Sequence, residues 1–540
     1  MNKITAFLKK LTQKRVHSDV PVGYKSKIVR YIAMLCAVLF CLAIATVYHS
    51  SFEAAEGRNE SIAYPLEKDI TKYNPYVQQF DAFKKGQMHI DYEPTQKFLK
   101  VENPYDPDAR EGCKEASTFW DRAYFDGKFY SYFGITPIIA VMYPAQALTG
   151  MIPSDTAIQL IFMLIFAVFM PLAVYALGEK IAKRTNPFII ATVSAVATLS
   201  ALQFLFARGR TPFYYIAASC ALAFLAMFAF FFIKGIFANK AYARCIYFAV
   251  AGLAFALCMH ARINTAFTAA FAILPALIFG IILKKRTDKE ETCEGETIGF
   301  FKKYRVGEII CELASLAFFV IIGMIVFFIM NYVRFGSIFD FGAKYQLTVA
   351  DVSLYELNIM ELPNSIFHYF LAPFKIEEDT GIMNLAYWKI SYMNRAVYVD
   401  AHFGLLNIPF NLFALFIPFV IADKKRSISF KVISVCALVG CFVSAWIDYC
   451  LGGVIYRYLC DFSLIWAMLA AVGIFVIFDM LSQTRLIVDI TVSAVIILFM
   501  LASALFTFDV MAITNANLLE MNTESFFYNT FGQKDVQITP

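Results

Sequence analysis

The sequence predicts an all-α polytopic membrane protein, and three observations carry that reading. Of 540 residues, 59% are hydrophobic and only 16% are charged, a balance too apolar for a disordered chain or an ordinary soluble domain. Apolar runs of about twenty residues recur along the chain, each long enough to cross a hydrocarbon layer as a helix. The links that parity assigns to one side are the basic ones, as cytoplasmic links are. The formal net charge of +5 is unevenly spread, so it speaks to topology and not to nucleic acid. Twelve cysteines are scattered through apolar runs without ligand spacing, so neither zinc nor a disulfide framework is predicted.

The elements follow in order. Residues 1–30 carry eight basic side chains (Lys3, Lys9, Lys10, Lys14, Arg15, Lys25, Lys27, Arg30) against Asp19, which places a basic segment, 1–27, in the cytoplasm. The first span, 28–49, is too long for a signal peptide and lacks a convincing small-residue cleavage site, so it reads as an anchor. Residues 50–154 form a long extracytoplasmic loop, rich in aromatics and with more acids than bases. Within it Pro137–Leu148 is apolar but too short to span, which suits a surface helix. Further spans are expected near 156–178, 187–207, 212–233, 242–260, 264–283 and 308–332, with a charged cytoplasmic loop at 284–306. A second large extracytoplasmic loop occupies 333–402. Spans near 403–422, 428–449, 461–478 and 486–508 complete about 11 transmembrane helices and leave the tail, 509–540, outside. No internal repeat is evident. Loops of this length usually have a task.

The first loop holds the candidate carboxylates. A hydroxyl attacking an activated glycosyl carbon needs a base at the membrane surface, and partial desolvation would tune a carboxylate for it. Asp81 follows an apolar, aromatic approach (Tyr76, Val77, Phe80); it equally suits a helix-capping role. Glu53 and Glu56, just past the first span, are rivals, and Asp121 beside Trp120 is another. Trp120, Tyr124 and Asp126 are sugar-binding candidates, since aromatics beside carboxylates match sugar rings and their hydroxyls. Asp126-Gly127 between aromatic flanks also reads as a two-residue hairpin turn. The NPYDPDAR segment is a pair of proline turns that either stays structural or aims Arg110 at a phosphate.

Arginines fall where outer helix ends are expected: Arg208 and Arg210, Arg262, Arg334 and Arg457. Ionisable groups at that depth are expensive and mark either a site or a paired bridge. The guanidinium fork suits phosphate, so Arg110, Arg262, Arg334 and Arg457 are candidate donor-phosphate ligands. Snorkelling to headgroups is the plainer reading. Arg457 and Asp461 stand i, i+4 apart, the spacing of an intrahelical ion pair; Tyr458 and Asp461 are also acceptor-site candidates. Five of the six histidines fall near the same surface, without metal-ligand spacing. Neither a metal nor another cofactor is predicted.

DAFKKGQMHIDYEP, ENPYDPDAR, YFDGKFYSYFGITPIIAVMYP, NYVRFGSIFDFGAKYQL and YRYLCDF are similar to segments of a group of bacterial membrane proteins often placed with the GT-C superfamily of integral-membrane glycosyltransferases. The layout also resembles that superfamily, which includes protein O-mannosyltransferases and aminoarabinose transferases. The resemblance implies a hexosyl- or pentosyltransferase in the cell membrane with its catalytic face extracytoplasmic. It implies transfer with inversion from a polyprenyl-phosphate sugar to a glycan, lipid or protein acceptor, with an acidic first-loop residue near the acceptor. Many such enzymes place an acidic pair soon after the first span; here only Glu53 and Glu56 lie so close, while the group motif puts its aspartate at 81. A transporter or flippase of lipid-linked sugars is the rival reading, and a polysaccharide polymerase a third. Nearly charge-free mid-span regions favour surface chemistry over a polar path through the bilayer.

Overall fold

A computed structural model describes residues 26–55, 62–205, 213–282, 306–376, 383–388, 398–424, 426–481 and 486–514. Among the described residues ten helices are long and apolar enough to cross a membrane: α1 (Lys27–Ala55), α2 (Asp155–Ile181), α3 (Pro187–Leu202), α4 (Phe213–Phe237), α5 (Ala241–Ala261), α6 (Ile263–Leu277), α7 (Val306–Phe335), α8 (Ile428–Gly452), α9 (Cys460–Leu481) and α10 (Leu486–Thr514). The chain is a multi-pass, all-α membrane protein. Its helix starts are written locally. Ser154 caps α2 by accepting from Ala157 N, Ser427 caps α8 by accepting from Phe430 N, and Asn186 with Pro187 opens α3. Helices α3, α4 and α9 are buried over most of their length, whereas α1, α7 and α10 expose many isoleucine, leucine and phenylalanine side chains, as lipid-facing helices do.

Ion pairs identify the two ends of the bundle. At one end, Arg30 at the start of α1 meets Glu179 at the end of α2 at 3.4 Å. Arg426 just before α8 meets Asp479 at the end of α9. Arg244 at the start of α5 holds Glu308 and Glu312 of α7 at 2.5 and 2.6 Å. The opposite end carries both long loops. There β1 (Ala63–Tyr64) pairs antiparallel with β4 (Ile152–Pro153), and β2 (Ala123–Phe125) with β3 (Lys128–Tyr130) around Asp126-Gly127. Both turn residues have positive φ, 49° and 75°, as the expected two-residue turn requires.

Residues 403–422 differ from the uniform helix expected there. They form a 3-10 helix, Pro409–Phe416, continued by a short α-helix, Ile417–Ala422. The segment still traverses the bundle, because α7 ends and α8 begins at opposite ends. It runs beside α9. Phe403 lies 5.4 Å from Tyr456 at one end, Trp466 donates to the Asn411 carbonyl at 3.0 Å, and Arg426 meets Asp479 at the other. A 3-10 helix rises about 2 Å per residue, so the combined rod reaches about 25 Å. Irregular backbone at this depth needs protein partners. Ser503 Oγ accepts from Phe410 N at 2.6 Å, and the Asn411 amide donates to the Leu405 carbonyl at 3.1 Å. Phe413, Phe416 and Phe419 stack in succession at 5.8 and 5.5 Å. With this segment the described residues make eleven traverses, so the start of α1 and the end of α10 lie at opposite ends.

Gly473 of α9 lets the two rods touch. A Cβ there would stand 2.3 Å from the Phe413 carbonyl oxygen, a backbone atom that cannot swing aside. Gly473→Ala is expected to destabilise the bundle by about 1–3 kcal/mol through overpacking, read as a lower melting temperature in detergent. Gly307→Ala, where nothing lies within 4 Å, is the control.

Candidate functional site

The two loops fold together into one cap. A small core of Ile90, Phe98, Cys113, Phe119 and Phe129 is closed by Leu347 from the second loop. Asp121 N donates to Leu347 O at 2.8 Å, and Leu347 N returns a bond to Arg122 O at 2.9 Å. Arg122 in turn ties the cap to the helix Pro75–Lys84, through Gln78 Oε1 at 2.9 Å, and to the Tyr73 carbonyl at 2.9 Å. That helix is anchored on the bundle by Asn74, which donates to Asp155 at the start of α2 at 2.6 Å. Gly134 brings the first loop onto the end of α5: a Cβ there would lie 2.1 Å from the His260 carbonyl oxygen.

Beneath the cap, two helix junctions present arginines. Arg262 stands between α5 and α6 in extended conformation. Its Nε and Nη2 both reach Asp461 of α9 at 2.6 Å, and Thr265 adds a hydroxyl bond to the same carboxylate at 2.5 Å. Beside them Asn264 donates to Asp448 of α8 at 2.7 Å. The second Asp448 oxygen is buried with no hydrogen-bond partner among the described residues. The α8–α9 junction turns on Gly453 (φ 77°), where Val454 N donates to Tyr398 O and Asp400 N to Val454 O. A short 3-10 turn, Tyr456–Leu459, follows and carries Arg457.

The i, i+4 pair between Arg457 and Asp461 does not form: residues 456–459 are wound as 3-10 helix, and Asp461 is committed to Arg262. Among the described residues the Arg457 side chain makes no hydrogen bond or ion pair. Its guanidinium lies instead over the rings of Tyr214 and Tyr458, at 4.5 and 5.5 Å, and Arg262 covers Tyr458 from another side at 4.9 Å. Arg457, Arg262, Tyr132, Tyr214 and Tyr458 all keep part of their surface open. Tyr214 donates to Asp121 Oδ2 through a short hydrogen bond. Asp121 therefore meets Arg457 across a shared tyrosine, in a left-handed conformation (φ 57°) that is unusual for a residue with a side chain. Burial, with the Asp121 charge beside it, holds the Tyr132 phenol well above its ordinary range, so it remains an O–H donor at neutral pH. Burial lowers Arg122 to about 10, which leaves it cationic.

The other expected residues lie elsewhere. Asp81 is ion-paired with Lys85 at 2.8 Å, and Lys85 also holds Asp91 at 2.6 Å; among the described residues no hydrogen bond or ion pair joins Asp81 to an arginine. The Glu53 side chain, Glu56, Arg208 and Arg210 lie outside the described residues. Arg110 is a buried staple whose donors go to the carbonyls of Pro104, Tyr105 and Thr348, with Trp120 under it at 5.8 Å. Arg334 is spent on Met330 O, Ser131 O and Asn331 Oδ1, docking α7 to the first loop. Tyr124 packs on Phe98 and Phe129, and Asp126 is exposed in its hairpin turn. Tyr132, Tyr214, Asn264, Thr265 and Asp448 join the site without having been singled out from sequence. Only Asp448 carried a signal, as a lone carboxylate in an apolar run. No group of three metal-ligating side chains converges among the described residues.

Neither a protein-family profile nor a curated protein matches the chain. Among solved structures, the Archaeoglobus fulgidus oligosaccharyltransferase in complex with zinc and sulfate is similar at 12% identity with a TM-score of 0.40, over 93% of this chain and 57% of that one. The chain thus spans a little over half the length of that protein, and a likeness this distant identifies no shared reaction.

Two measurements test the geometry. Breaking a buried pair by removing one partner typically costs about 3–5 kcal/mol, so Asp461→Ala is expected to lower the melting temperature clearly. Arg457→Gln forfeits only ring contacts of about 1 kcal/mol and is expected to leave it nearly unchanged. Burial also depresses His402, which meets His368 at 3.0 Å, to about 4. Its folded pKa lies below that of free histidine, near 6.5, so the unfolded chain binds the extra proton first. Stability is then full above that value and is lost as pH falls toward 4. His402→Gln is expected to flatten that part of a melting-temperature profile.

Proposed function

We propose that this protein is a membrane glycosyltransferase of the GT-C type, acting at the outer face of the cell membrane. It would move a sugar, with inversion, from a polyprenyl-phosphate donor to a glycan, lipid or protein acceptor. One observation carries the reading: among the described residues Arg457 is a guanidinium without a carboxylate partner, at the α8–α9 junction beneath the cap, bridged by Tyr214 to a buried aspartate in left-handed conformation. An unpaired cation at that depth is costly unless an anion completes it. A lipid phosphate arrives at that level while its tail remains among the helices.

In the proposed reaction the acceptor hydroxyl attacks the anomeric carbon as the carbon–oxygen bond to phosphate breaks. The bonding pair leaves with the phosphate, and the hydroxyl proton passes to Asp121. Arg457 stabilises the phosphate charge, and Arg262, which lies over the same Tyr458 ring, adds its positive charge. Tyr214 aligns Asp121 with its hydroxyl and meets the Arg457 guanidinium with its ring face, so base and leaving group keep a fixed spacing. Asp461 and Thr265 fix Arg262. Arg110 and Arg334 belong to the frame that holds the cap over the bundle.

The test uses the full chain in lipid nanodiscs. Arg457→Ala is expected to weaken binding of decaprenyl phosphate, the probe, and to lower transfer about 10²–10³-fold. Asp121→Asn is expected to retain decaprenyl phosphate while losing about 10²–10⁴ in transfer. Transfer lost in Asp81→Asn but kept in Asp121→Asn would move the base to Asp81 and overturn the assignment. Unchanged probe binding in Arg457→Ala would remove the phosphate site.

A further inference from the structure

A second basic feature lies at the other end of the bundle and takes no part in the reaction above. There the start of α1, the ends of α2 and α4, and the start of α8 enclose a cleft of about 690 Å³. Arg30, Lys180, Lys183 and Arg426 line it, with Glu179 as the one lining carboxylate among the described residues. Two of these cations are neutralised in place: Arg30 meets Glu179, and Arg426 meets Asp423 and Asp479. Lys180 has no carboxylate partner among the described residues. It rests its ammonium over the Phe237 ring at 4.8 Å. Lys183 is exposed and likewise unpaired among the described residues. Into the same cleft opens the N-terminus of α8, a 25-residue helix capped by Ser427, which adds the positive end of its dipole.

The surroundings identify the kind of anion. Leu177, Ile181, Phe237 and Phe430 form the apolar part of the lining. Ile28, Tyr31 and Phe237 nearby are strongly exposed, at 70%, 64% and 42%, as side chains facing acyl chains would be. Ammonium groups without a carboxylate partner among the described residues, lining one cleft with apolar side chains, match the two halves of a lipid: a phosphate at the headgroup level and a chain below it.

We infer that this cleft is a binding site for a phosphate group, supplied by an anionic phospholipid whose headgroup meets Lys180, Lys183 and the α8 N-terminus. The inference is independent of the reaction assigned to the opposite end, so either can fail alone. Full-length protein is stripped of lipid in detergent and titrated with phosphatidylglycerol or phosphatidylcholine, with bound lipid counted by native mass spectrometry. The wild type is expected to prefer phosphatidylglycerol. The double variant K180Q/K183Q is expected to lose that preference by a factor on the order of thirtyfold, and K180R/K183R to restore it, which separates charge from folding. Equal binding of the two lipids by the wild type, or undiminished preference in K180Q/K183Q, overturns the site. Displacement of phosphatidylglycerol by millimolar inorganic phosphate, matched by loss of phosphate binding in K180Q/K183Q, keeps the phosphate site and overturns its lipid source.

Discussion

The buried pair between Arg262 and Asp461 sets the character of everything around it. A charge on α9 within the apolar bundle must be matched, and Asp461 is matched by an arginine from the α5–α6 junction instead of its own neighbour four residues earlier. That choice locks three helices together at one level. Among the described residues it also leaves Arg457 with aromatic faces in place of a counter-ion. Asp448, held by Asn264, lies beside the same pair and adds a second carboxylate to the network. The site is therefore not a collection of surface charges. It is an ion-paired half, Arg262 with Asp461, beside a half in which Arg457 meets aromatic rings.

The cap owes its position to backbone contacts. Leu347 accepts a main-chain hydrogen bond from Asp121 and donates one to Arg122, Arg110 gathers three carbonyls from both loops, and Arg334 reaches Ser131 from the end of α7. Each of these arginines is spent on neutral oxygens, where it costs less to keep it charged than to leave its donors unmet. Arginines on this face thus divide by partner. Among the described residues, those bonded to carbonyls build the cap, Arg262, bonded to a carboxylate, builds the bundle, and Arg457 is left with aromatic rings.

Much of the architecture was legible in the sequence. Hydrophobic run length and the basic bias of alternate links gave the traverses, and Asp126-Gly127 between aromatics gave the hairpin. The site was legible only in part. Arg262, Arg457, Tyr458 and Asp461 stood out because charged and aromatic groups near helix ends are informative by type alone. Asp81 and Asp121 could not be separated, since both are acids in aromatic surroundings. What distinguishes them is tertiary: Lys85 neutralises one within a single helical turn, while Tyr214, more than ninety residues away, reaches the other. The i, i+4 spacing of Arg457 and Asp461 misled because spacing implies contact only where the backbone is α-helical, and the turn before Cys460 is wound more tightly.

The same tight winding has a consequence in the traverse beside α9. A 3-10 helix repeats every three residues, so Phe410, Phe413 and Phe416 fall in one column, and Phe419 continues it past the change of pitch. Such a column counts in threes. Adding or deleting one residue between Pro409 and Phe416 would turn every later ring by about 120°, from its neighbours toward lipid or toward the main chain of α9, whereas a change of three would return each ring to its row. The length of this stretch is therefore quantised in a way that its α-helical neighbours, with their non-integral repeat, are not.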